Sequence, residues 1–354
     1  MDEFRVSSFM EMVYEDVVER AGEPLEEVDN WKEYRRRKKE QIRDVLKLSL
    51  LKERYDVPLV WQKTEEKKEE NENGVRIEKY RVEVLRNLTM AVHVLHQERE
   101  GSLVGKPAVM FLNGHDPRGA EGAYRALSAG GTALGMELAR MGYVVLVPEL
   151  FAFGEAKRRE APDDLGACES CAETEPWLLN CGLNLAGLRV WEALKTLDFA
   201  QEALGLEHFG VYGISGGGHI CNYAGVLDDR IEAMMVSGYP NLYKHSTMAM
   251  VHCICNYVPG QIELGESHHI TALAAPEKKL LVMNGREDPI FPVEGSRIAF
   301  AYLEEVYGRL GASDNFTAVL FEGGHEISVP DVCRWLEENW PDGALGKRLA
   351  VSRK

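Results

Sequence analysis

No segment of the 354-residue chain approaches the roughly 18 uninterrupted apolar residues that a membrane-spanning helix needs, which excludes a helical bilayer protein. Basic residues are in deficit: 41 Lys and Arg stand against 57 Asp and Glu. The resulting net charge of −16 repels phosphate backbones and anionic lipid, so neither nucleic acid nor a membrane surface is expected as a partner. The start, Met1-Asp2-Glu3-Phe4-Arg5, leads into no apolar signal region, and the cytoplasm is the expected compartment. Fingerprints of other chemistries are missing too. No GxxxxGK occurs, Gly114, Gly119 and Gly122 do not form G-x-G-x-x-G, and His325-Glu326 has no second histidine at the offset of HExxH.

Cysteine is irregular. Cys168, Cys171, Cys181, Cys221, Cys253, Cys255 and Cys333 are an odd, clustered set, unlike a secreted disulfide framework. A structural zinc site usually offers two regular pairs or a Cys/His set. Here Cys168 and Cys171 are followed by a Cys-x-Cys pair roughly 80 residues later, so reduced thiols in a loop-rich insertion are expected and no metal is. His252, His268 and His269 read as surface or pocket-lining residues rather than ligands.

What is present is ample apolar material, 45% of the chain, enough for one large α/β domain with additions or two ordinary domains. Residues 1–74 read as an N-terminal helical extension: Trp31, Tyr34, Ile42, Val45 and Leu46 lie near helical spacing, suggesting about two amphipathic helices. The basic run from Arg35 to Lys39 is interleaved with Glu33, Glu40 and Asp44 and reads as a solvated helix face. The stretch 65–74 (EEKKEENENG) reads as an exposed turn.

Residues 76–84 and 88–95 alternate polar and apolar with period two, as an antiparallel hairpin or meander at a sheet edge does. Compact apolar runs follow at 108–112, 143–147, 209–212, 233–236, 280–283 and 318–321, separated by helix-length segments. Strands apolar on both faces and alternating with helices predict a mostly parallel sheet covered on both sides. Two helical faces are legible, Val190, Ala193, Leu194, Leu197 and Leu204, and Val329, Val332, Cys333, Leu336 and Trp340. The fold class is α/β: a catalytic domain over 75–342 with an insertion at 152–182 near the pocket, and a C-terminal tail at 343–354.

The strand 209–212 runs directly into Gly213-Ile214-Ser215-Gly216-Gly217, a G-x-S-x-G in the strand–turn–helix setting that exposes a serine above the sheet. Serine is a weak nucleophile at its own pKa, so a histidine base and an orienting carboxylate must follow. Strand 280–283 ends in Asn284-Gly285-Arg286-Glu287-Asp288-Pro289, and strand 318–321 ends in Glu322-Gly323-Gly324-His325, the only histidine after Asp288. Ser215, Asp288 and His325 therefore form the candidate catalytic set. Asp288 is preferred because Pro289 follows in a rigid turn, and Glu287 is the fallback. An oxyanion needs N–H donors, for which Gly216 and His115, in the loop Asn113-Gly114-His115-Asp116, are the candidates. Phe151, Phe153, Trp177 and Tyr257 are candidates for the pocket wall, because a connection of about 30 residues beside the strand ends exceeds ordinary loop lengths.

This layout resembles the α/β-hydrolase superfamily, and within it the dienelactone-hydrolase-like and acetyl-xylan-esterase-like serine esterases. The segments that carry the likeness are FLNGHD (111–116), PELFAFGEA (148–156), GISGGGH (213–219), CNYVPG (255–260), NGREDPIFP (284–292) and FEGGHE (321–326). The resemblance implies hydrolysis of small, acetyl-type carboxylic esters through an acyl-enzyme, with no metal or organic cofactor. Dienelactone hydrolases use a cysteine nucleophile where this chain has Ser215, which disfavours their substrate. The alternatives are a prolyl-oligopeptidase-like peptidase, disfavoured because residues 1–74 are too few to build a propeller, and a catalytically idle fold serving as a binding protein. A homo-oligomer is left open.

Overall fold

The structure, a computed structural model, describes residues 6–21, 24–68, 74–97, 101–126, 133–158 and 170–340. Its frame is a nine-stranded sheet: β1 (Val60–Lys68), β2 (Val75–Leu85), β3 (Leu88–Gln97), β4 (Pro107–Leu112), β5 (Val144–Pro148), β6 (His208–Ile214), β7 (Ile231–Ser237), β8 (Lys279–Gly285) and β9 (Phe316–Phe321). The spatial order is β1-β2-β3-β5-β4-β6-β7-β8-β9. Strands β1, β2, β3 and β5 pair antiparallel, and from β5 through β9 all pairs are parallel.

The helices are α1 (Val6–Ala21), α2 (Trp31–Val45), α3 (Leu48–Tyr55), α4 (Leu134–Arg140), α5 (Cys171–Asn180), α6 (Leu185–Leu204), α7 (Gly216–Leu227), α8 (Ser267–Ala272), α9 (Val293–Arg309) and α10 (Val329–Asn339). Pleating divides the central strands between two cores. Ala108, Met110 and Leu112 of β4 face the side covered by α2, α6, α7 and α9, while Val109 and Phe111 face Leu138 of α4 and Trp335 and Leu336 of α10. Every residue of β4 and β5 is buried, as a parallel sheet covered on both faces requires. No helix among the described residues is long and apolar enough to cross a membrane.

The topology creates the site. From β4 the chain crosses to β5 on one side, and from β5 it returns past β4 to β6 on the other. The connections leaving the carboxyl ends of β4 and β6 thus diverge, and a crevice opens between them.

Two expectations for residues 1–74 differ from the structure. The sheet begins at Val60, because β1 pairs with β2 through Lys68 ↔ Arg76, so 65–68 of the expected polar turn are strand. An edge strand has one unpaired, solvated side and tolerates charge that no apolar alternation announces. The basic run is also not uniformly solvated. Arg36 is exposed and pairs with Glu33 and Glu40, but Arg35 donates to Leu273 O at 2.8 Å. Lys38 is buried, donating to Ala21 O and Leu264 O, and desolvation lowers its pKa to about 8. Helix α2 therefore docks on the body, with Trp31 Nε1 donating to Ala275 O at 2.8 Å. The tail at 343–354 and Cys168 lie outside the described residues.

Candidate active site

Ser215 sits between β6 and α7 with φ 56° and ψ −124°, a left-handed conformation that a non-glycine residue adopts only where its surroundings impose it. The surroundings are tight. A Cβ on Gly217 would lie 2.0 Å from Leu112 O, so only glycine lets α7 begin this close to β4. The Ser215 N–H donates to Ser237 O at 3.1 Å, which anchors the elbow to β7. Helix α7 starts at Gly216, and its N-terminal dipole favours negative charge beside the serine.

Asp288 lies in the turn after β8 with its side chain 1% exposed. Its Oδ1 accepts hydrogen bonds from the N–H groups of Ile290 at 2.8 Å and Phe291 at 2.9 Å, and its Oδ2 pairs with His325 Nδ1 at 2.8 Å. The His325 ring stacks on Phe291 at 5.6 Å between centroids. Glu287, by contrast, is exposed. Its neighbour's carboxylate is the one fixed against the imidazole.

The loop after β4 packs over the elbow. A Cβ on Gly114 would be 3.0 Å from Ser215 Cβ, and one on Gly216 would be 2.9 Å from His115 Cε1. Asn113 Nδ2 donates to Gly119 O at 2.7 Å, and Asp116 forms an ion pair with Arg118 that holds its carboxyl below the ordinary range despite partial burial. Ser215, His325, Gly114 and His115 line one cavity of about 680 Å³. That volume suits a small organic ligand.

The remaining wall differs from expectation. It is built from Met250, Val251, His252, Ile290 and Ile327, and none of Phe151, Phe153, Trp177 and Tyr257 lines this cavity. Phe153 is buried against the Arg189 guanidinium at 3.8 Å and edge-on to His115, Trp177 is 68% exposed, and the Tyr257 hydroxyl donates to Thr247 O. The insertion thus turns its aromatics away from Ser215. The 250–253 segment showed no strand-end position or motif that could have marked it. His252 does line the cavity, as anticipated, whereas His268 and His269 are buried within α8, where the His269 side chain closes a capping box with Glu266. Gly238 was also not anticipated. It has φ +55°, and a Cβ there would lie 3.0 Å from His325 Cε1.

A carboxylate is buried behind the site. Glu149 accepts a hydrogen bond from Ala120 N, and burial pushes its carboxyl up to about 7. It braces the connection that follows the β4 loop.

No protein-family model and no curated protein matches the sequence. Solved structures do. A candidate acetyl xylan esterase from Bacteroides fragilis NCTC 9343 superposes with a TM-score of 0.70 at 16% identity, over 91% of this chain and 84% of that one. A methylesterase matches with a TM-score of 0.63 at 20% identity, over 86% of this chain and 62% of that one. A glucuronoyl esterase from Solibacter usitatus matches with a TM-score of 0.58 at 12% identity, over 79% of this chain and 85% of that one. At such identities the likeness establishes the architecture, and the chain has the α/β-hydrolase fold.

Proposed function

We propose that this protein is a serine hydrolase of small carboxylic esters. The observation that carries the reading is the pairing of a buried carboxylate, Asp288, with His325 at 2.8 Å on the wall of the cavity that also holds Ser215 at its strained elbow. Ser215 Oγ attacks the ester carbonyl while His325 Nε2 takes its proton. The carbonyl electrons move to oxygen, and the N–H groups of Gly216 and His115 receive the oxyanion; neither donates to another described residue. Collapse expels the alcohol, protonated by His325, and leaves an acyl-Ser215. Water deprotonated by His325 then releases the acid. Asp288 keeps the Nδ1 proton in place and stabilises the imidazolium.

The three solved neighbours described above are named for esters, two of them as acetyl xylan and glucuronoyl esterases, and this supports acetylated or otherwise esterified sugars as the substrate class. A polar rim suits that class: Asp116, Arg118 and Arg125 stand at the cavity. The test is fluorophosphonate labelling with nitrophenyl acetate turnover. Wild type is expected to label at Ser215 and turn over, and Ser215→Ala to do neither while unfolding at the wild-type temperature. An unlabelled wild type defeats the reading and favours a binding role. Preference for a dipeptide anilide over the ester points to a peptidase instead.

A further inference from the structure

The ester chemistry leaves unexplained a cluster of soft ligands behind the oxyanion loop. His115 from the loop after β4, Cys171 from the first turn of α5, and Cys253 and Cys255 around a single 3-10 turn place one imidazole nitrogen and three sulfurs within 4.8 Å of one another. Cys255 Sγ is 3.3 Å from both His115 Nε2 and Cys253 Sγ. A tetrahedral zinc ion with bonds of about 2.3 Å to sulfur and 2.0–2.1 Å to nitrogen holds its donors roughly 3.5–3.8 Å apart. The two shortest of these separations lie within about half an ångström of that spacing, and no pair, at 4.8 Å or less, has to close by more than about an ångström.

Charge points the same way. Arg189 is 1% exposed and makes no direct ion pair with a carboxylate among the described residues, although the buried Glu175 and Glu192 lie near enough to feel its charge. Its guanidinium donates to Cys171 Sγ at 3.0 Å and to Phe151 O at 2.9 Å. Asn256 Nδ2 sits 3.6 Å from Cys255 Sγ as a second N–H donor to sulfur. A buried guanidinium that donates to sulfur favours the anionic thiolate, yet three thiolates in contact repel one another unless a cation stands between them. One divalent ion with three thiolates carries −1, which Arg189 neutralises.

We propose that His115 Nε2 and the thiolates of Cys171, Cys253 and Cys255 form a closed structural zinc site that ties the oxyanion loop to the insertion and to the 253–256 turn. Four protein ligands leave no open position, so the ion is not the Lewis acid of the ester reaction. Binding releases the thiol protons to solvent, and His115 ligates as the neutral imidazole. The ligation fixes the ring, and with it the backbone that presents the His115 N–H to Ser215. Sequence spacing misses the site because its cysteines come from segments roughly 80 residues apart and its fourth ligand from a different strand end. Cys181, which reads as a neighbour of Cys171 in sequence, is exposed and takes no part.

The experiment is elemental analysis of full-length protein purified without chelator, with thiol titration under native conditions. Wild type and Ser215→Ala are expected to carry about one zinc per chain, and Cys255→Ser and Cys253→Ser below about a tenth of that. Protein grown with cobalt is expected to show thiolate-to-metal charge-transfer absorption that Cys253→Ser abolishes. Metal-free wild type whose thiols react freely, or a Cys253–Cys255 disulfide found by mass spectrometry, overturns the proposal whatever the esterase activity. Zinc present in a protein that does not label at Ser215 refutes the esterase reading alone.

Discussion

Replacing Asp288 with asparagine isolates what the carboxylate does, because the surrounding hydrogen bonds dictate how the amide must sit. Oδ1 accepts from two backbone N–H groups, at 2.8 and 2.9 Å, while Oδ2 faces His325 Nδ1 at 2.8 Å. An asparagine keeps its carbonyl oxygen on the two N–H donors, since the flipped rotamer would set its own N–H against them in a site from which water is excluded. The amide nitrogen then points at His325 Nδ1, which must present a lone pair. The imidazole proton moves to Nε2, the atom that has to accept from Ser215. The nucleophile loses its base while the geometry stays intact, and kcat is expected to fall about 10³- to 10⁴-fold, or roughly 4–5.5 kcal/mol of barrier. Nitrophenyl acetate turnover and the fluorophosphonate labelling rate both read this, with urea unfolding as the control for folding. Glu287→Gln, at an exposed position, is expected to stay within about twofold of wild type. An Asp288→Asn enzyme within tenfold of wild type, or a Glu287→Gln enzyme as damaged, refutes the reasoning.

Gly238→Ala puts a methyl group 3.0 Å from His325 Cε1 and 3.2 Å from Nδ1 at φ +55°, and is expected to cost roughly 10- to 100-fold in kcat with KM little changed; wild-type kcat refutes it. Trp31→Ala removes a ring that is 6% exposed and a hydrogen bond to Ala275 O, and is expected to lower whole-chain stability in urea by about 3–5 kcal/mol. A loss confined to the N-terminal helices, with the transition of the sheet unmoved, counts against α2 as an integral part of the core. Glu149 gives a pH test. Its native carboxyl is raised to about 7, so between about 4.5 and 7 the native state holds a proton the unfolded chain has released, and this group's contribution to stability falls as pH rises through that window. Glu149→Gln cannot ionise, and is expected to gain on wild type between pH 5 and pH 8 by on the order of 3 kcal/mol at most in urea midpoints. A gap that is flat with pH refutes the assignment.

Much of the architecture was legible because it rests on local rules. Strands β2 through β9 announced themselves as alternating or fully apolar runs, and α6 and α10 as apolar faces of helical period. Ser215, Asp288 and His325 each followed a readable strand at its carboxyl end, which is why chain order and strand ends sufficed to select them. The parts that escaped lack such a signature. Strand β1 is charged because it lies at the edge, and the cavity wall at 250–253 is loop whose side chains reach the site only through the fold.

Local pattern alone put Ser215, Asp288 and His325 after strand ends, since an elbow glycine, a turn carboxylate and a loop histidine are defined by neighbours a few residues away. What becomes of the irregularly spaced cysteines depends on the fold as a whole. Residues dismissed for irregular spacing converge with His115, while the aromatics of the insertion, expected at the pocket, pack elsewhere. Spacing along a chain constrains contact only within one element. Across elements, the sheet order and the docking of α5 bring distant ligand atoms together, and those are set by burial over the whole core rather than by any local pattern.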